Sequence, residues 1–326
     1  MDTLGIDLAK LTFDVTLYRA PEQRHHAQFA NTPDGFTQLQ AWLVRHGVTQ
    51  LHACMEATNI YWEALAAFLH AQGYTVSVVN PARIKGFAQS QLLRNKTDKL
   101  DSATIATFCA QQRPSAWTPP SEAQHRLRAL VRHRDDLIQT RLQQQNRLRD
   151  TTDALVRASL QTVLDAVETQ VAAVDQQIKA HLTAHAELRT NLALLVSIVG
   201  IGAVTAAKLL AELAAIDQYE SAHAAAADTG LTPTHYESGT SVRRRPRMSK
   251  VGKASLRAAL YWPAITAMTH CPAFKAFAER LAAKGKPKGV VIGAVMRKMV
   301  HIVYGVLKHQ APYDPTKVLA PSAAAT

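Results

Sequence analysis

LGIDLAKLTFDVTL, residues 4–17, is the stretch that decides the fold of the N-terminal part of this chain. β-Branched and apolar residues dominate Leu4–Asp7 and Thr12–Leu17, and this composition predicts two strands joined as a hairpin. Further along, we predict strands at His52–Met55 and Thr75–Val79, and helices over 36–43, over 61–69 and from Asp98 onward. Strands that alternate with helices after an opening hairpin predict an α/β domain over residues 1–113.

Residues 121–187 form a second region, which we expect to be helical throughout. No proline or glycine interrupts residues 121–185. Apolar residues recur there at alternating spacings of four and three, as a heptad seam: Leu160, Leu164, Val167, Val171, Val174 and Ile178. Such a seam requires a partner helix. The partner is either the preceding helix of the same chain, in a hairpin, or a second copy, in a coiled coil, and the pattern leaves both open.

The C-terminal region, residues 188–319, is predicted to be a mostly helical domain, and the small-residue tail 320–326 to be disordered. Between Ser238 and Tyr313 the only acidic residue is Glu279, while lysine and arginine are frequent. The whole chain has a formal net charge of +12, and the positive charge is concentrated in this region. An excess of that size favours a polyanionic partner, either nucleic acid or an anionic membrane surface.

The composition also indicates in which cellular compartment the protein acts. No apolar run reaches the length of about 18 residues that a bilayer-spanning helix needs, and the first residues lack the pattern of a signal peptide. The three cysteines are far apart and have no neighbouring ligand spacing, so neither a zinc site nor a disulfide framework is expected. We therefore expect a cytoplasmic protein, associated with the nucleoid in use and without a membrane partner.

Four carboxylates stand where an α/β fold can bring them together. Asp7 ends the first predicted strand, and Glu56 follows the strand His52–Met55. Asp98 and Asp101 are spaced to share one face of a helix. Converging carboxylates repel one another unless cations bind among them, and Mg²⁺ or Mn²⁺ prefers such oxygen ligands. Two such ions can hold the attacking and leaving oxygens of a phosphodiester. The alternative is four unrelated surface acids.

A glycine pair lies between two apolar helical segments in LVSIVGIGAVTAAKLLAEL, residues 195–213. This pattern is typical of a helix-hairpin-helix element. Its glycines, Gly200 and Gly202, would expose backbone N–H groups that can hold a nucleic-acid phosphate at a helix N-terminus. The alternative is a plain helical hairpin with a glycine turn.

Ser238-Gly239 opens a basic segment in the C-terminal region. The cationic residues that we predict to bind nucleic acid are Arg243, Arg244, Arg245, Arg247, Lys250, Lys253 and Arg257. A serine beside guanidinium groups suits phosphoryl transfer, because the hydroxyl can attack phosphorus and the guanidinium groups can stabilise the charge that develops. From spacing alone, Ser238 is a turn residue, since Ser-Gly is a common turn pair.

The carboxylate arrangement resembles the RuvC-like branch of the RNase H fold. More narrowly, it resembles the DEDD-type transposases of the insertion sequence one-ten family, relatives of the Piv DNA invertases. The matching stretches are GIDLAKLTFDV (5–15), MEATNIYW (55–62) and NPARIKGFAQSQLLRNKTDKLDSATIA (80–106), then GLTP (230–233), Ser238-Gly239, SKVG (249–252) and Leu256-Arg257. Asn59 departs from the pattern, which has a glycine there.

The resemblance implies a transposase that cuts and rejoins donor and target DNA. It implies that Asp7, Glu56, Asp98 and Asp101 bind the metal and that Ser238 is a nucleophile that becomes covalently linked to DNA. It also implies guidance by a structured non-coding RNA, the bridge RNA. The resemblance covers most of residues 1–110 and 190–300, while the helices between them match only in character.

Other functions stay open on the residues alone. A RuvC-like structure-selective endonuclease needs the carboxylates but not Ser238, and a non-catalytic nucleic-acid-binding protein needs neither. An RNase H-like sugar kinase is disfavoured, because phosphate-binding glycine loops are missing and the chain is basic.

Recombination also requires several strands to be cut in concert. We therefore expect a homodimer that pairs into a tetramer on DNA, with protomers joined by the heptad seam. In that assembly Ser238 of one subunit would act on DNA held at the carboxylates of another.

Overall fold

The computed structural model describes residues 1–19, 23–57, 60–91, 98–213, 216–238, 242–249 and 251–316. Within these ranges the side chains of residues 98–99, 235–238 and 242–246 are not described. Asn59, Lys250 and the tail 320–326 therefore lie outside the described residues. The chain divides into two compact units, Met1–Pro119 and Pro120–Thr326.

The first unit is a five-stranded sheet with helices on both faces. Its strands are β1 (Asp2–Leu8), β2 (Thr12–Arg19), β3 (Gln23–Ala30), β4 (Leu51–Glu56) and β5 (Thr75–Val79). Its helices are α1 (Pro33–Arg45), α2 (Glu63–Ala71), α3 (Pro81–Ser90) and α4 (Asp98–Gln112). The order in the sheet is β3-β2-β1-β4-β5. Strands β1, β2 and β3 are antiparallel neighbours, whereas β4 runs parallel to both β1 and β5. This mixed sheet is consistent with an RNase H-like fold.

Strand alternation divides the side chains between the two faces of the sheet. Leu4, Ile6 and Phe13 point to one face, where they share a core with residues of α1 and α2. Cys54 of β4 points to the other face and packs with Ile105 of α4 in a smaller core. Each face therefore has its own apolar layer, as expected for a sheet that helices cover on both sides.

Two elements of this unit were not predicted from the sequence. The polar sequence QRHHAQFA forms β3, an edge strand whose residues are mostly exposed. PARIKGFAQS forms α3, which begins with Pro81 in the first turn and is capped by the Asn80 side chain. Strand β5 has the predicted bounds, and β1, β2 and β4 extend one or two residues beyond theirs.

The described part of the second unit is helical apart from one β-hairpin. Its helices are α5 (Glu122–Asp150), α6 (Ala154–Ala184), α7 (Ala186–Val196), α8 (Ala203–Glu212), α9 (Ala222–Asp228), α10 (Ala254–Ala259), α11 (Tyr261–His270), α12 (Pro272–Ala283) and α13 (Lys288–His309). A short 3-10 turn spans Ile216–Gln218, and the hairpin is β6 (Pro233–Ser238) with β7 (Val242–Met248).

The heptad seam finds its partner within the chain. Helices α5 and α6 pack as an antiparallel hairpin, in which Arg134 forms an ion pair with Asp175 and the ring of His181 hydrogen bonds to the carbonyl of Ala123. The seam residues Leu160, Leu164, Val171, Val174 and Ile178 are buried, and Val167 is half-buried. The structure therefore has the hairpin rather than the intermolecular coiled coil. In the hairpin the seam packs on α5 of the same chain, and the predicted oligomer stays a prediction.

The hairpin and the C-terminal helices share one core. Leu127 of α5 and Ile178 of α6 belong to the same buried cluster as Leu209 of α8 and Val303 of α13. For this reason residues 121–187 and 188–319, which the sequence divided, form a single compact unit. Helix α13 is the one helix among the described residues that is long and apolar enough to cross a membrane, and 61% of its most apolar window is buried inside the protein.

Candidate active site

Asp7 and Glu56 lie side by side at the carboxyl ends of two parallel strands. The register pairs Ile6 of β1 with Met55 of β4, so the next residue of each strand is one of the two acids. Both are half-buried. Neighbouring parallel strands in register point equivalent residues to the same face. The backbone therefore places Asp7 and Glu56 on one face and at one edge of the sheet.

That face is the one covered by α4, and Gly5 is the reason that α4 lies so close. A Cβ atom built on Gly5 would lie 2.0 Å from the carbonyl oxygen of Ser102 and 2.2 Å from the amide nitrogen of Ala106. Only a residue without a side chain leaves room for the helix backbone at this distance. Two hydroxyl contacts hold the helix here: Thr3 Oγ1 donates to the carbonyl of Ala106 (3.5 Å), and Thr16 Oγ1 lies 2.8 Å from Ser102 Oγ.

The same contacts determine where the first turn of α4 lies along β1. Ala106 lies opposite Thr3 and Ser102 opposite Gly5, so the helix runs antiparallel to β1. One further turn towards its N-terminus reaches the level of Asp7, and this turn begins with Asp98. The fold thus brings positions 7 and 56 and the start of α4 to one end of one face.

The metal-binding role of these acids stays a prediction. Asp101 is half-buried in the first turn of α4, whereas the side chain of Asp98 is not among those described. Among the described side chains, no three or more His, Cys, Asp and Glu groups form a cluster that could hold an ion. Asp7, Glu56 and Asp101, whose side chains are described, therefore do not by themselves form such a cluster. The donor chemistry fits a hard cation, because all four predicted ligands offer carboxylate oxygens.

Sequence reasoning missed a fifth carboxylate on this face. Asp14 of β2 is the direct register partner of Asp7 and is buried. Its Oδ1 lies 3.2 Å from Nε2 of His26, and its Oδ2 accepts a hydrogen bond from Gln28 (2.9 Å). The signal available in the sequence was a charged residue inside the apolar run TFDVTL. Both carboxylate oxygens of Asp14 therefore already have partners on β3.

We call the end of this face that carries Asp7 and Glu56 the carboxylate edge. Two buried thiols lie next to it. Cys54 precedes Glu56 by two residues on β4, and Cys109 lies on α4. The hydrogen bond with Cys109 and burial both raise the pKa of the Cys54 thiol well above its ordinary value. Burial and this contact therefore favour the neutral thiol of Cys54.

The glycine pair of the second unit forms the predicted turn between two helices, α7 and α8. Gly200 has a φ of +95°, and a Cβ atom there would lie 2.4 Å from the carbonyl oxygen of Pro263. Gly202 is the N-cap residue of α8 and has no side chain to cap it. Its position faces open space, so the turn is accessible to a ligand. Phosphate binding by this turn stays a prediction.

Ser238 is the last residue of β6, and the predicted basic cluster follows on β7. Backbone pairing joins Ser238 to Val242, Glu237 to Arg243 and Tyr236 to Arg244. The tip between the two strands, residues 239–241, lies outside the described residues, as do the side chains of Ser238 and of Arg243, Arg244 and Arg245. The described side chain of Arg247 is exposed. The nucleophilic role of Ser238 and the nucleic-acid contacts of the arginines stay predictions.

Lys253 and Arg257 have partners within the protein. Lys253 Nζ lies 2.8 Å from Asp228 and donates to the carbonyl of Glu212 (2.7 Å). Arg257 donates to the carbonyl of Thr229. These contacts fix the segment that follows the β-hairpin onto α8 and α9. Their predicted contacts with nucleic acid stay predictions.

Glu212 of α8, which contacts Lys253 through its carbonyl, is a buried acid. Glu212 accepts two hydrogen bonds from Arg132, at 2.7 and 3.1 Å. Burial alone raises the pKa of Glu212, but the Arg132 hydrogen bonds and the charges of Arg128 and Lys253 outweigh it, so its pKa lies below the ordinary value.

Comparison with known proteins gives matches along most of the chain. A family described as "Transposase" matches residues 4–157, which include all four predicted metal ligands, and the "Transposase IS116/IS110/IS902 family" matches residues 192–279, which include Ser238. The chain is 33% identical over 318 residues to the pilin gene-inverting protein of Moraxella bovis, covering 95% of this chain and 97% of that protein. It is 27% identical over 358 residues to a probable family 20 transposase of Pseudomonas aeruginosa, covering 97% and 99%.

Proposed function

Because this chain belongs to the IS110 family of transposases, which includes DNA-inverting relatives, we propose that it cuts and rejoins DNA strands during transposition with a carboxylate–metal centre and the Ser238 nucleophile. The observation that carries this proposal is the placement of Asp7, Glu56 and the first turn of α4 at one end of one sheet face. Asp7, Glu56, Asp98 and Asp101 would hold Mg²⁺ or Mn²⁺. The bound ion would neutralise charge at the reacting phosphate.

Ser238 would perform the covalent step. Its hydroxyl oxygen would attack phosphorus, lose its proton and displace one deoxyribose oxygen, which leaves as a hydroxyl after taking up a proton. Arginines of β7 would stabilise the additional charge on the phosphoryl oxygens. Rejoining would reverse these steps with a hydroxyl of another strand, and a structured guide RNA would select the strands.

The carboxylate centre is tested by comparing two acids of the same strand. Asp7→Ala should abolish strand cleavage in Mg²⁺, because the reacting phosphate loses a ligand of its metal centre. Asp2→Ala should retain cleavage, since Asp2 lies at the opposite end of β1, in an ion pair with Arg19. Circular dichroism would establish that both variants are folded. Full recombination by Asp7→Ala would refute the carboxylate assignment.

The nucleophile is tested by trapping a covalent protein–DNA adduct on a denaturing gel. The wild-type chain and Ser255→Ala, an exposed serine of α10, should form the adduct, whereas Ser238→Ala should not. A chain that cleaves DNA in a metal-dependent way without any adduct would be a structure-selective nuclease. A chain that binds nucleic acid without cleavage or metal dependence would be a binding protein.

Site-specific DNA inversion is a second candidate function. It is favoured by the 33% identity that extends over 97% of the Moraxella bovis pilin gene-inverting protein. Both reactions break and rejoin DNA strands, but they differ in product. A plasmid reporter that carries the two recombination sites in inverted orientation would detect inversion, and one with the sites in direct orientation would detect excision.

A further inference from the structure

The outer strand of the sheet presents three polar side chains on the face that carries the carboxylates. The register pairs Arg24 with Tyr18, His26 with Thr16 and Gln28 with Asp14. Thr16 contacts Ser102 of α4, so these positions face the α4 side. We call the set of Arg24, His26 and Gln28 the β3 polar face.

The intervening residues of β3 point the other way. Ala27 and Phe29 pack against the core that contains α1 and α2, and the ring of His25 lies 4.7 Å from that of His46, the C-cap residue of α1. Neighbouring histidines on one strand therefore occupy opposite faces of the sheet. His25 is accordingly a matched control for His26.

The β3 polar face is open to a ligand. Arg24, His26 and Gln28 are all exposed, since β3 is the edge strand and α4 packs chiefly on β1, β2 and β4. Successive residues of this face are about 6.8 Å apart along the strand, a spacing close to that of phosphates along an extended nucleic-acid strand. Guanidinium, imidazolium and amide N–H groups all donate hydrogen bonds, which phosphate oxygens accept.

Asp14 joins this face to the carboxylate edge. It pairs with Asp7 through the backbone register, and its side chain holds His26 and Gln28. With Nε2–H of His26 donating to Asp14, Nδ1 can donate to a phosphate oxygen when the ring is an imidazolium, which carries hydrogen on both nitrogens. The buried carboxylate thus fixes the orientation of a partly exposed ring.

On the basis of the proposed function, we propose that the β3 polar face binds the phosphodiester backbone of the DNA strand that enters the carboxylate edge, with Asp14 as a positioning residue for His26. The occupant is DNA because the neighbouring acids are the proposed cleavage centre and the face is continuous with them. Arg24 supplies the positive charge, while His26 and Gln28 supply directed donors.

Photo-crosslinking tests the contact without depending on catalysis. The full chain carries p-benzoylphenylalanine at position 26 or at position 25, and the probe is a fluorescent mixed-sequence DNA duplex of about 40 base pairs in low salt. We expect a crosslinked band from position 26 and only background from position 25. Equal yields, or no crosslink from position 26 in a chain that binds the duplex, would overturn the inference. Crosslinking to an RNA duplex of the same sequence in preference to DNA would overturn the choice of occupant.

Failure of the proposed function has a different signature. A chain that crosslinks DNA from position 26 but never cleaves it would retain the binding face and lose the proposed reaction. A chain that binds no nucleic acid would refute both.

The affinity of variants tests the individual side chains. Arg24→Ala should reduce the log–log salt slope of DNA binding by about one, and Arg45→Ala, an exposed arginine of α1 on the other side of the sheet, should leave it unchanged. An unchanged slope for Arg24→Ala would show that Arg24 makes no phosphate contact.

The positioning role of Asp14 is tested by comparing the losses of affinity in single and double variants. His26→Ala should weaken binding about tenfold, a typical loss for a hydrogen bond to a charged group. Asp14→Asn should weaken it by a similar factor, and the double variant no further, because both changes remove one contact. Additive losses would contradict a positioning role. Urea unfolding of each variant identifies any loss that arises from misfolding.

Discussion

Gly5 is the residue that sets the distance between the sheet and the helix that carries two of the four predicted ligands. It lies between Leu4 and Ile6, whose side chains are fully buried on the opposite face. The sequence shows this glycine inside an apolar strand, but not what approaches it. Only the structure reveals that the backbone of α4 at Ser102 and Ala106 occupies the place of its side chain.

We predict that Gly5→Val destabilises the first unit by about 3 kcal/mol or more, because its side chain would overlap backbone atoms that cannot move aside. Gly86→Ala is the control. Gly86 is an exposed residue of α3 where a Cβ atom would face open space, so alanine should stabilise the helix by about 0.5–1 kcal/mol. Urea unfolding measures both changes. A tolerated Gly5→Val would mean that α4 does not pack this closely.

The strands of the first unit differ in how far their sequence reveals them. Strands β1, β2, β4 and β5 are apolar because each lies within the sheet or against a covered face, and all four were predicted. The edge strand β3 is QRHHAQFA, in which only Ala27 and Phe29 contact the core. It has no apolar run, so periodicity could not identify it.

The same limit applies to the candidate site. The strand-end positions of Asp7 and Glu56 could be predicted, because an acid at the end of an apolar strand is a local feature. The contact between Asp14 and His26 could not be predicted, because it joins two strands and neither strand's sequence specifies their register. A heptad seam likewise specifies that a helix has a partner but not which one.

Helix α6 provides a prediction at the scale of elements. Val174 is buried in the α5–α6 hairpin and shares its core with α13, whereas Val163 on the same helix is 44% exposed. Val174→Asp should lower the free energy of unfolding by about 3 kcal/mol, because it buries an unpaired carboxylate. Val163→Asp should change it by less than about 0.5 kcal/mol.

Sedimentation of the same two variants distinguishes the hairpin from an intermolecular seam. If Val174→Asp keeps its full stability and only dissociates an oligomer, the seam joins protomers and the hairpin arrangement is wrong.

Helix α13 provides a pH prediction. Burial of His301 lowers its pKa to about 4, and the nearby charges of His223, Arg297 and Lys298 contribute in the same direction. The unfolded chain, with an ordinary histidine pKa of about 6.5, therefore binds more protons than the folded chain between these values. Stability should fall as the pH decreases from about 6.5 towards 4.

His301→Gln should flatten this pH dependence of the urea midpoint, whereas His270→Gln, an exposed histidine of α11, should not. Equal slopes for the wild-type chain and His301→Gln would show that His301 is not the group responsible.

Across the whole molecule, the two units carry very different charge. Residues 1–119 contain ten Lys and Arg against nine Asp and Glu, a net charge of +1, and residues 120–326 contain 27 against 16, a net charge of +11. We therefore expect the long-range attraction to nucleic acid to come mainly from the second unit. The proposed catalytic groups are also divided between the units, since the carboxylates lie in the first and Ser238 in the second.

The division also raises the question of whether one chain must supply both reacting centres. Strand exchange requires several cuts in concert, and we predict that Ser238 of one subunit acts with the carboxylates of another. Ser238→Ala and Asp7→Ala chains, each inactive alone, should then regain part of the cleavage activity when mixed, because some assemblies contain an intact serine and an intact acid set at one shared site. Two different affinity tags would verify that mixed assemblies form on DNA. Mixed assemblies without any cleavage would show that both centres must reside in the same chain.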